Sequence, residues 1–184
     1  MVLFPKSRGQ VFYRKRYLNF KALELFTQQS QSLTDLRAGE QMIALLSEAL
    51  QTSQIDILLP NSADGNLSVR FSSRSVSPAL YLDTEQPLVK WLAMKGKLLS
   101  LDELKVMPHF IENEKDVLEH FGVELLVPGN ARNGRLSGLI LLGTKLSKKP
   151  YDAEDNDLLK AFANQMAIKL ENIALYEDAL KIRR

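Results

Sequence analysis

The chain has 184 residues, of which 45% are hydrophobic and 25% charged, a composition that excludes wholesale disorder and fits one ordinary globular domain. It contains no cysteine, so disulfides, thiol catalysis, thiolate metal sites and thioether-linked cofactors are excluded. A net charge of +2 favours no particular partner, and we expect no nucleic-acid binding. No apolar run reaches the ~18 residues of a membrane span, so we expect a soluble, cytoplasmic chain.

Residues 1–16 form a basic N-terminal arm without acidic residues, with cations at Lys6, Arg8, Arg14, Lys15 and Arg16. Two interpretations of the arm remain open. It is either solvated and frayed, or a juxtamembrane segment that anionic lipid attracts. In the second case the chain is the cytoplasmic part of a membrane protein and meets the membrane only through an upstream segment. A single domain is predicted to follow the arm, over residues 17–182.

Two helices are predicted before the first strand. Apolar residues recur at helical spacing over 17–29, and again as a broad stripe over 35–50. Alternating residues then predict strands over 54–60 and 67–71, with a strong turn signal between them.

The middle of the chain, residues 84–122, is predicted to hold short helices. One begins near Pro87, which suits a first turn, and ends at Gly96, which suits a C-terminal cap. Ser100 and Glu103 have the spacing of a capping box and predict a second helix. A third helix is predicted to end at Gly122.

The C-terminal half carries the clearest pattern. Two apolar, β-prone runs flank a polar turn ending in Asn133-Gly134, which predicts a β-hairpin. The second run, 136–142, is apolar at nearly every position and predicts a strand buried on both faces. A long amphipathic helix follows, with Asp152 as its predicted N-cap.

This order of residues resembles the C-terminal half of a GAF domain, a small α/β input module of signalling proteins. The resemblance rests on Glu-Leu-Leu-Val-Pro at 124–128, Gly-Leu-Ile-Leu-Leu-Gly at 138–143, Tyr-Asp-Ala-Glu-Asp at 151–155 and the helix that follows. It implies an α/β (α+β) fold with a central antiparallel sheet. The N- and C-terminal helices would lie on one face, and short insert helices with a ligand pocket on the other.

Comparison with known members of the family also excludes some classes of ligand and activity. The chain lacks the Asn-Lys…Phe-x-x-x-Asp-Glu pattern of members that bind cyclic nucleotides. Without cysteine it cannot attach a bilin or turn over as a methionine-sulfoxide reductase. Gly129 stands where the family's common Leu-Val-Pro-Leu has its last leucine, and we expect it to loosen the hairpin turn.

No catalytic constellation, metal motif or cofactor motif is visible, so we expect a chain that is not an enzyme and holds no cofactor. Of the two histidines, His109 is the better candidate for an axial haem ligand or pH-sensitive group. Arg70 and Arg74 lie among serines and are either phosphate ligands or ordinary exposed arginines.

A pocket for an unidentified small molecule would lie between sheet and insert. Its candidate lining residues are Phe71, Tyr81, Trp91, His109, Phe110, Leu125 and Val127. The alternative is that these aromatic side chains are plain core.

The last helix carries two apolar stripes. The first, predicted to form a parallel homodimer, consists of Leu159, Phe162, Met166, Ile173, Tyr176 and Leu180. The second consists of Leu158, Ala161, Ile168, Leu175 and Ala179. One stripe suffices to cover the sheet, so the other needs a partner, and Tyr176 and Leu180 are expected to face a second copy. The alternative is that both stripes are buried within one subunit.

The predicted function is a sensory, dimerising GAF module, a fragment of a membrane-linked sensor histidine kinase of a two-component system. Its signal would leave through the C-terminal helix. The alternative is a ligand-responsive domain attached to a transcription factor or a cyclic-dinucleotide enzyme.

Overall fold

The computed structural model describes residues 15–17, 19–21, 23–24, 28, 36–108, 112–130 and 133–183. The described residues before position 36 are helical, within or next to the predicted first helix. The later elements are, in chain order, α1 (Leu36–Leu50), β1 (Ile55–Pro60), β2 (Leu67–Ser72), β3 (Tyr81–Leu82), α2 (Pro87–Lys95), β4 (Leu99–Ser100), α3 (Leu101–Lys105), α4 (Glu112–His120), β5 (Leu125–Asn130), β6 (Leu136–Leu142) and α5 (Ala153–Ile182).

The strands form one six-stranded antiparallel sheet in the order β3-β2-β1-β6-β5-β4. The central strands are β1 and β6, and Ile57 lies opposite Ile140. The predicted hairpin is confirmed as β5–β6, with Gly134 in its turn at a φ of 69°. Glycine adopts positive φ without a steric penalty, which is why Asn-Gly was an informative turn signal.

The sheet is the middle layer of three, as strand β6 shows. Ile140 and Leu142 belong to the core beneath α1 and α5, whereas Leu139 and Leu141 belong to the core beneath the insert helices. All four are fully buried. Successive side chains of a strand point to opposite faces, so this continuous apolar run fills both cores.

The helices α1 and α5 lie on the same face of the sheet, as predicted. Leu46 of α1 and Phe162 of α5 share one core with Ile57 of β1. The approach of α1 to β2 is close because residue 39 is glycine. A Cβ at Gly39 would lie 2.0 Å from the ring of Phe71.

The insert helices α2, α3 and α4 cover the opposite face, and their predicted end signals are confirmed. Pro87 is in the first turn of α2, and Gly96 ends that helix at a φ of 60°. Ser100 and Glu103 cap α3 reciprocally, each side chain accepting the other's backbone N–H. Gly122 follows α4 at a φ of 69°.

Gly129 does not loosen the hairpin turn, because it lies within β5, opposite Gly138 of β6. A Cβ at Gly129 would lie 3.1 Å from Met166 Cε, and a Cβ at Gly138 would lie 2.8 Å from the same atom. The two glycines therefore leave a hollow in the sheet that receives the methyl group of Met166 from α5.

Candidate functional site

The fold does not bring the predicted pocket residues together. Phe71, Leu125 and Val127 are buried in the core beneath α1 and α5, on the face away from the insert. Leu125 and Val127 are two positions apart in one strand, so both point to the same face. This corrects the prediction that they line a pocket beneath the insert. His109 and Phe110 lie outside the described residues.

Among the predicted pocket residues that the structure describes, only Trp91 packs at the insert core, and it is half-buried at its margin. The interior of that core is filled by leucine side chains. Leu58, Leu88, Leu92 and Leu139, for example, are fully buried. A small molecule entering between sheet and insert would therefore have to displace these side chains.

Tyr81 is half-exposed on edge strand β3, and its contacts are structural. Its hydroxyl donates a hydrogen bond of 2.6 Å to Asp64 Oδ2 and also contacts the Asn66 amide. The bond lowers the pKa of the Asp64 carboxyl and raises the pKa of the Tyr81 hydroxyl. These contacts tie the β1–β2 turn to β3.

A cavity of about 760 Å³ lies at the β4 edge of the sheet, between β4 with α3, the segment after β6 and the start of α5. Its lining is Lys97, Leu98, Ser100, Asp102, Glu103, Glu124, Leu125, Thr144, Lys145, Lys149, Pro150, Tyr151, Asn156 and Lys160. Four lysines and three carboxylates share this lining, so the cavity does not select ligands of one charge. Leu125 is a predicted pocket residue that lines this cavity, but sequence reasoning missed the cavity itself because its walls come from distant segments.

Two polar groups of the cavity are already engaged. Lys145 Nζ lies 2.6 Å from Asp155 Oδ2. The Tyr151 hydroxyl donates to the Gly143 carbonyl at 2.5 Å and lies 2.8 Å from Thr52 Oγ1. Burial raises the pKa of Tyr151 to about 12, so this hydroxyl stays neutral at physiological pH. Both side chains hold the β6–α5 connection in place.

Arg74 is a structural residue rather than a phosphate ligand. Its Nη2 lies 3.0 Å from Asp56 Oδ2 and donates to the Phe121 carbonyl at 2.8 Å. Asp56 is 1% exposed and also accepts a 2.5 Å hydrogen bond from Ser72 Oγ. The pair joins β1 to the loop after β2 and to the end of the insert.

Helix α5 divides its two apolar stripes differently from the prediction. Leu159, Phe162 and Met166 are buried against the sheet and cannot face a second copy. The side chains of Ile173 and Tyr176 lie outside the described part of the structure, and Leu180 is 47% exposed. The large exposed apolar side chains are mainly on the second stripe and its continuation.

Those side chains recur every seven residues. Ile168 is 51% exposed, Leu175 63% and Ile182 86%. The first half of α5 thus packs against the sheet. The second half exposes Ile168, Leu175 and Ile182 to solvent, and these three residues form the apolar line of α5.

Within the described residues, no three histidine, aspartate or glutamate side chains converge on a possible metal site. The described histidine, His120, ends α4 and contacts the ring of Phe121 edge-on. None of the helices described here has the length and apolar character of a membrane span.

A sequence model of the family described as GAF domain matches residues 40–172. No curated protein matches the chain by sequence. Among solved structures, the GAF domain of an Acinetobacter phosphoenolpyruvate-protein phosphotransferase is similar, with a TM-score of 0.63 at 14% identity, over 92% of this chain and 97% of that one.

Two further structures come from signalling proteins. One is the GAF domain of a two-component sensor histidine kinase from Bacillus halodurans, with a TM-score of 0.55 at 19% identity, over 78% of this chain and 99% of that one. The other is a fragment of a methyl-accepting chemotaxis protein, with a TM-score of 0.59 at 18% identity, over 82% of this chain and 98% of that one. At these identities the likeness concerns the fold alone.

Proposed function

This chain belongs to the GAF domain family, and we propose that it is the sensory or regulatory domain of a larger signal-transduction protein, with α5 as its output element. The solved structures named for a sensor histidine kinase and a chemotaxis protein support this role, since each is a domain of a signalling protein.

The observation that carries the proposal is the exposed apolar line on α5. The helix has 30 residues, or about 45 Å at the usual rise per residue. Only its first half is needed to cover the sheet. The exposed apolar side chains at 168, 175 and 182 would be unfavourable in solvent if this part of α5 had no binding partner.

The occupant proposed for this line is a second copy of the chain. With Ile168, Leu175 and Ile182 at the d positions of a heptad, the a positions are Gln165, Asn172 and Ala179. An asparagine at one a position is a known device for fixing register in a two-stranded coiled coil. The proposed interface between the two helices is therefore weak but specific in register, which suits a helix pair that has to change its packing geometry.

Charge favours a parallel pair. Asp178 then occupies a g position and Arg183 the e position five residues later, so each aspartate meets the partner's arginine. An antiparallel pair would instead bring the g-position acids Glu171 and Asp178 of the two helices together. A parallel pair also delivers both C-termini to the same place, where an output domain could respond to their geometry.

The fuller assignment is the cytoplasmic GAF domain of a membrane-linked sensor histidine kinase. The basic arm at residues 1–16 supports it as a juxtamembrane segment, and the Bacillus halodurans domain supports it by fold. A transcription factor or a cyclic-dinucleotide enzyme is the alternative output. The sequence of the parent gene beyond Arg184 discriminates between them, and a histidine phosphoacceptor motif followed by an ATP-binding domain is the expected result.

Any ligand of the domain should be small and non-covalent. The chain offers no cysteine for attachment, and the insert core is already filled by its own leucines. Mass spectrometry of the purified protein should therefore give the unmodified mass, and a covalent adduct would contradict this part of the proposal.

Sedimentation equilibrium tests the helix pair. We expect a dimer at ~100 μM, well above the dissociation constant of a micromolar complex. Ile168→Glu with Leu175→Glu should give a monomer, because two charges would be buried at the proposed interface. Leu146→Glu with Val106→Glu changes two exposed apolar residues elsewhere, at 62% and 86% exposure, and should leave the dimer intact. A monomeric wild type, or a dimer that survives the interface variant, would overturn the proposal.

A further inference from the structure

The N-terminal helical segment meets the first turn of α5 at a cluster of charges. Lys15 Nζ lies 2.7 Å from Asp152 Oδ2 and 3.0 Å from Asp155 Oδ1. The neighbouring Arg16 Nε lies 3.6 Å from Glu154 Oε1. More than 130 residues of chain separate the two sides of these contacts. The segment that enters the domain therefore touches the helix that leaves it.

Asp155 is the centre of this cluster. Its side chain is fully buried, and Oδ2 accepts hydrogen bonds from Lys145 Nζ at 2.6 Å and from the Asp152 amide at 2.9 Å. The second bond completes the capping box of α5. One residue thus joins the cap of α5 to the end of the sheet.

The other oxygen of Asp155 depends on the incoming segment. Among the described residues Oδ1 makes no hydrogen bond, and the cation that it faces is Lys15. A buried carboxylate oxygen without a partner or a nearby opposite charge is strongly unfavourable. Withdrawal of Lys15 would therefore leave Oδ1 without its facing charge, with Lys145 as the cation that remains on Asp155.

The titration of the cluster agrees with this geometry. Burial acts to lower the pKa of Lys15, but its contacts with Asp152 and Asp155 outweigh burial and raise it. Burial likewise acts to raise the pKa of Asp152, and Lys15 together with the Asp155 amide outweighs that effect. Both residues stay charged across the physiological range, so the contact is permanent unless the segment moves.

We propose that the acidic first turn of α5 is a docking site for the basic segment entering the domain, and that Lys15 latches this segment onto Asp155. Docking then sets how firmly the start of α5 is held. The docking itself stands on the contacts above, whereas its use in signalling rests on the proposed function of α5 as output element.

The latch has two states. When the segment is docked, two lysines flank Asp155 and the cap is closed. When an upstream displacement withdraws Lys15, Asp155 Oδ1 loses its facing charge and the first turn of α5 opens, while Phe162 and Met166 keep the helix on the sheet. The coupling is reciprocal, so a change imposed on α5 also releases the segment.

A distance measurement tests the docking. Because the chain has no cysteine, Lys21→Cys and Asp157→Cys create a unique pair for spin labels, both at exposed positions. Diluting the labelled protein with unlabelled chain keeps the measured distance intramolecular. We expect one narrow distance distribution in this background, and a broad one after Lys15→Gln. Lys15→Arg should restore the narrow distribution, because it keeps the charge.

Hydrogen exchange supplies a second readout at the cap itself. The amides of Asp155 and Asn156 bond to Asp152, and we expect both to exchange about fivefold faster or more after Lys15→Gln, with the middle of α5 unchanged. Lys90→Gln is the matched control, since it removes a surface ion pair of equal length, Lys90–Glu85 at 2.7 Å. Asp152→Asn keeps a capping oxygen but removes one charge facing Lys15, and it should broaden the distance distribution as well.

If Lys15→Gln leaves both the distance distribution and the cap exchange as in Lys90→Gln, the latch is wrong. Sedimentation of the unlabelled chain separates this outcome from the proposed function. A monomeric chain with a narrow, Lys15-dependent distance would refute the helix pair and retain the latch. A stable dimer whose distance distribution and cap exchange do not change in Lys15→Gln would retain the helix pair and refute the latch.

Discussion

Gly39 of α1 lies against the ring of Phe71 on β2, so closely that a Cβ at position 39 would come within 2.0 Å of two ring carbons. Phe71 is itself buried in the core beneath α1 and α5, so its ring has little room to withdraw. The absent side chain at residue 39 thus sets the distance between helix and sheet.

Gly39→Ala gives this contact a test in which two effects have opposite signs. Helix propensity alone would stabilise the variant by ~1 kcal/mol. We expect overpacking against Phe71 to dominate and to lower the free energy of unfolding by about 1–3 kcal/mol. Urea denaturation measures the change. Adding Phe71→Leu should recover part of the loss, and a Gly39→Ala protein more stable than wild type would disprove the close approach.

The buried Asp56–Arg74 pair predicts a large effect of a small change. Asp56→Asn leaves the Arg74 guanidinium without its counter-charge, and we expect a loss of about 3 kcal/mol in the free energy of unfolding. Thermal denaturation with a parallel Asp102→Asn control, at a carboxylate that is almost fully solvated, isolates the effect of burial. Equal melting temperatures for the two variants would show that the pair contributes little.

The charge cluster at α5 predicts a pH window for stability. The pKa of Asp152 lies below its ordinary value of 3.8, so its contribution is present above pH 3.8 and is lost as pH falls through the lower, folded value. The pKa of Lys15 lies above 10.5, so its contribution is present below pH 10.5 and is lost as pH rises through the higher, folded value.

Wild type should therefore exceed Lys15→Gln in stability across that window, and the two should converge beyond each end. Melting temperatures at a series of pH values provide the measurement. A constant difference from about pH 3 to about pH 11 would mean that Lys15 acts through packing rather than charge.

Trp91, the chain's single tryptophan, is a built-in reporter for the insert face. We expect cyclic AMP and cyclic GMP to leave its fluorescence unchanged and to give no stoichiometric heat in calorimetry, because leucines occupy that core. Titration with buffer that contains no nucleotide is the negative control, and a known cyclic-nucleotide receptor is the positive control. Tight binding of either nucleotide would contradict this expectation, which rests on the missing sequence pattern and on the packed insert core.

The parts of the fold that could be predicted from the sequence are those that local chemistry determines. Gly134 in the hairpin turn, Gly96 at the end of α2 and the capping boxes at Ser100 and Asp152 each satisfy a backbone requirement within a few residues. Such signals do not depend on which face of the sheet an element covers.

The candidate site depended on that choice of face, and there the prediction failed. Whether Phe71 points to α1 or to the insert follows from its pairing with Ile57, next to an irregularity in the β1–β2 register. A shift of one residue reverses every side chain, and no local signal in the sequence reports it. The sequence therefore predicts one pocket for Phe71 and Trp91, although the sheet separates them.

The two stripes of α5 posed the same problem in a helix. Leu158 and Leu159 are adjacent, so their stripes differ by about 100° of rotation, and periodicity alone does not select the one that meets the sheet. In the structure Leu158 and Leu159 are both buried, and further along the helix Met166 fills the hollow formed by the two glycines. Ile168 and Leu175 of the second stripe are exposed, as is Leu180 of the stripe predicted to form the dimer, whereas Leu159, Phe162 and Met166 of that stripe are buried.

The hollow that receives Met166 also marks the position about which α5 would tilt. Met166 lies about 20 Å along the axis from Ala153 and about 24 Å from Ile182. Leu159 and Phe162 also hold the first half of the helix in the core, whereas Leu175 and Ile182 beyond Met166 are exposed. If the whole helix tilts as a rigid rod about Met166, a ~1 Å displacement of its first residue becomes about 1.2 Å at its last residue, in the opposite direction.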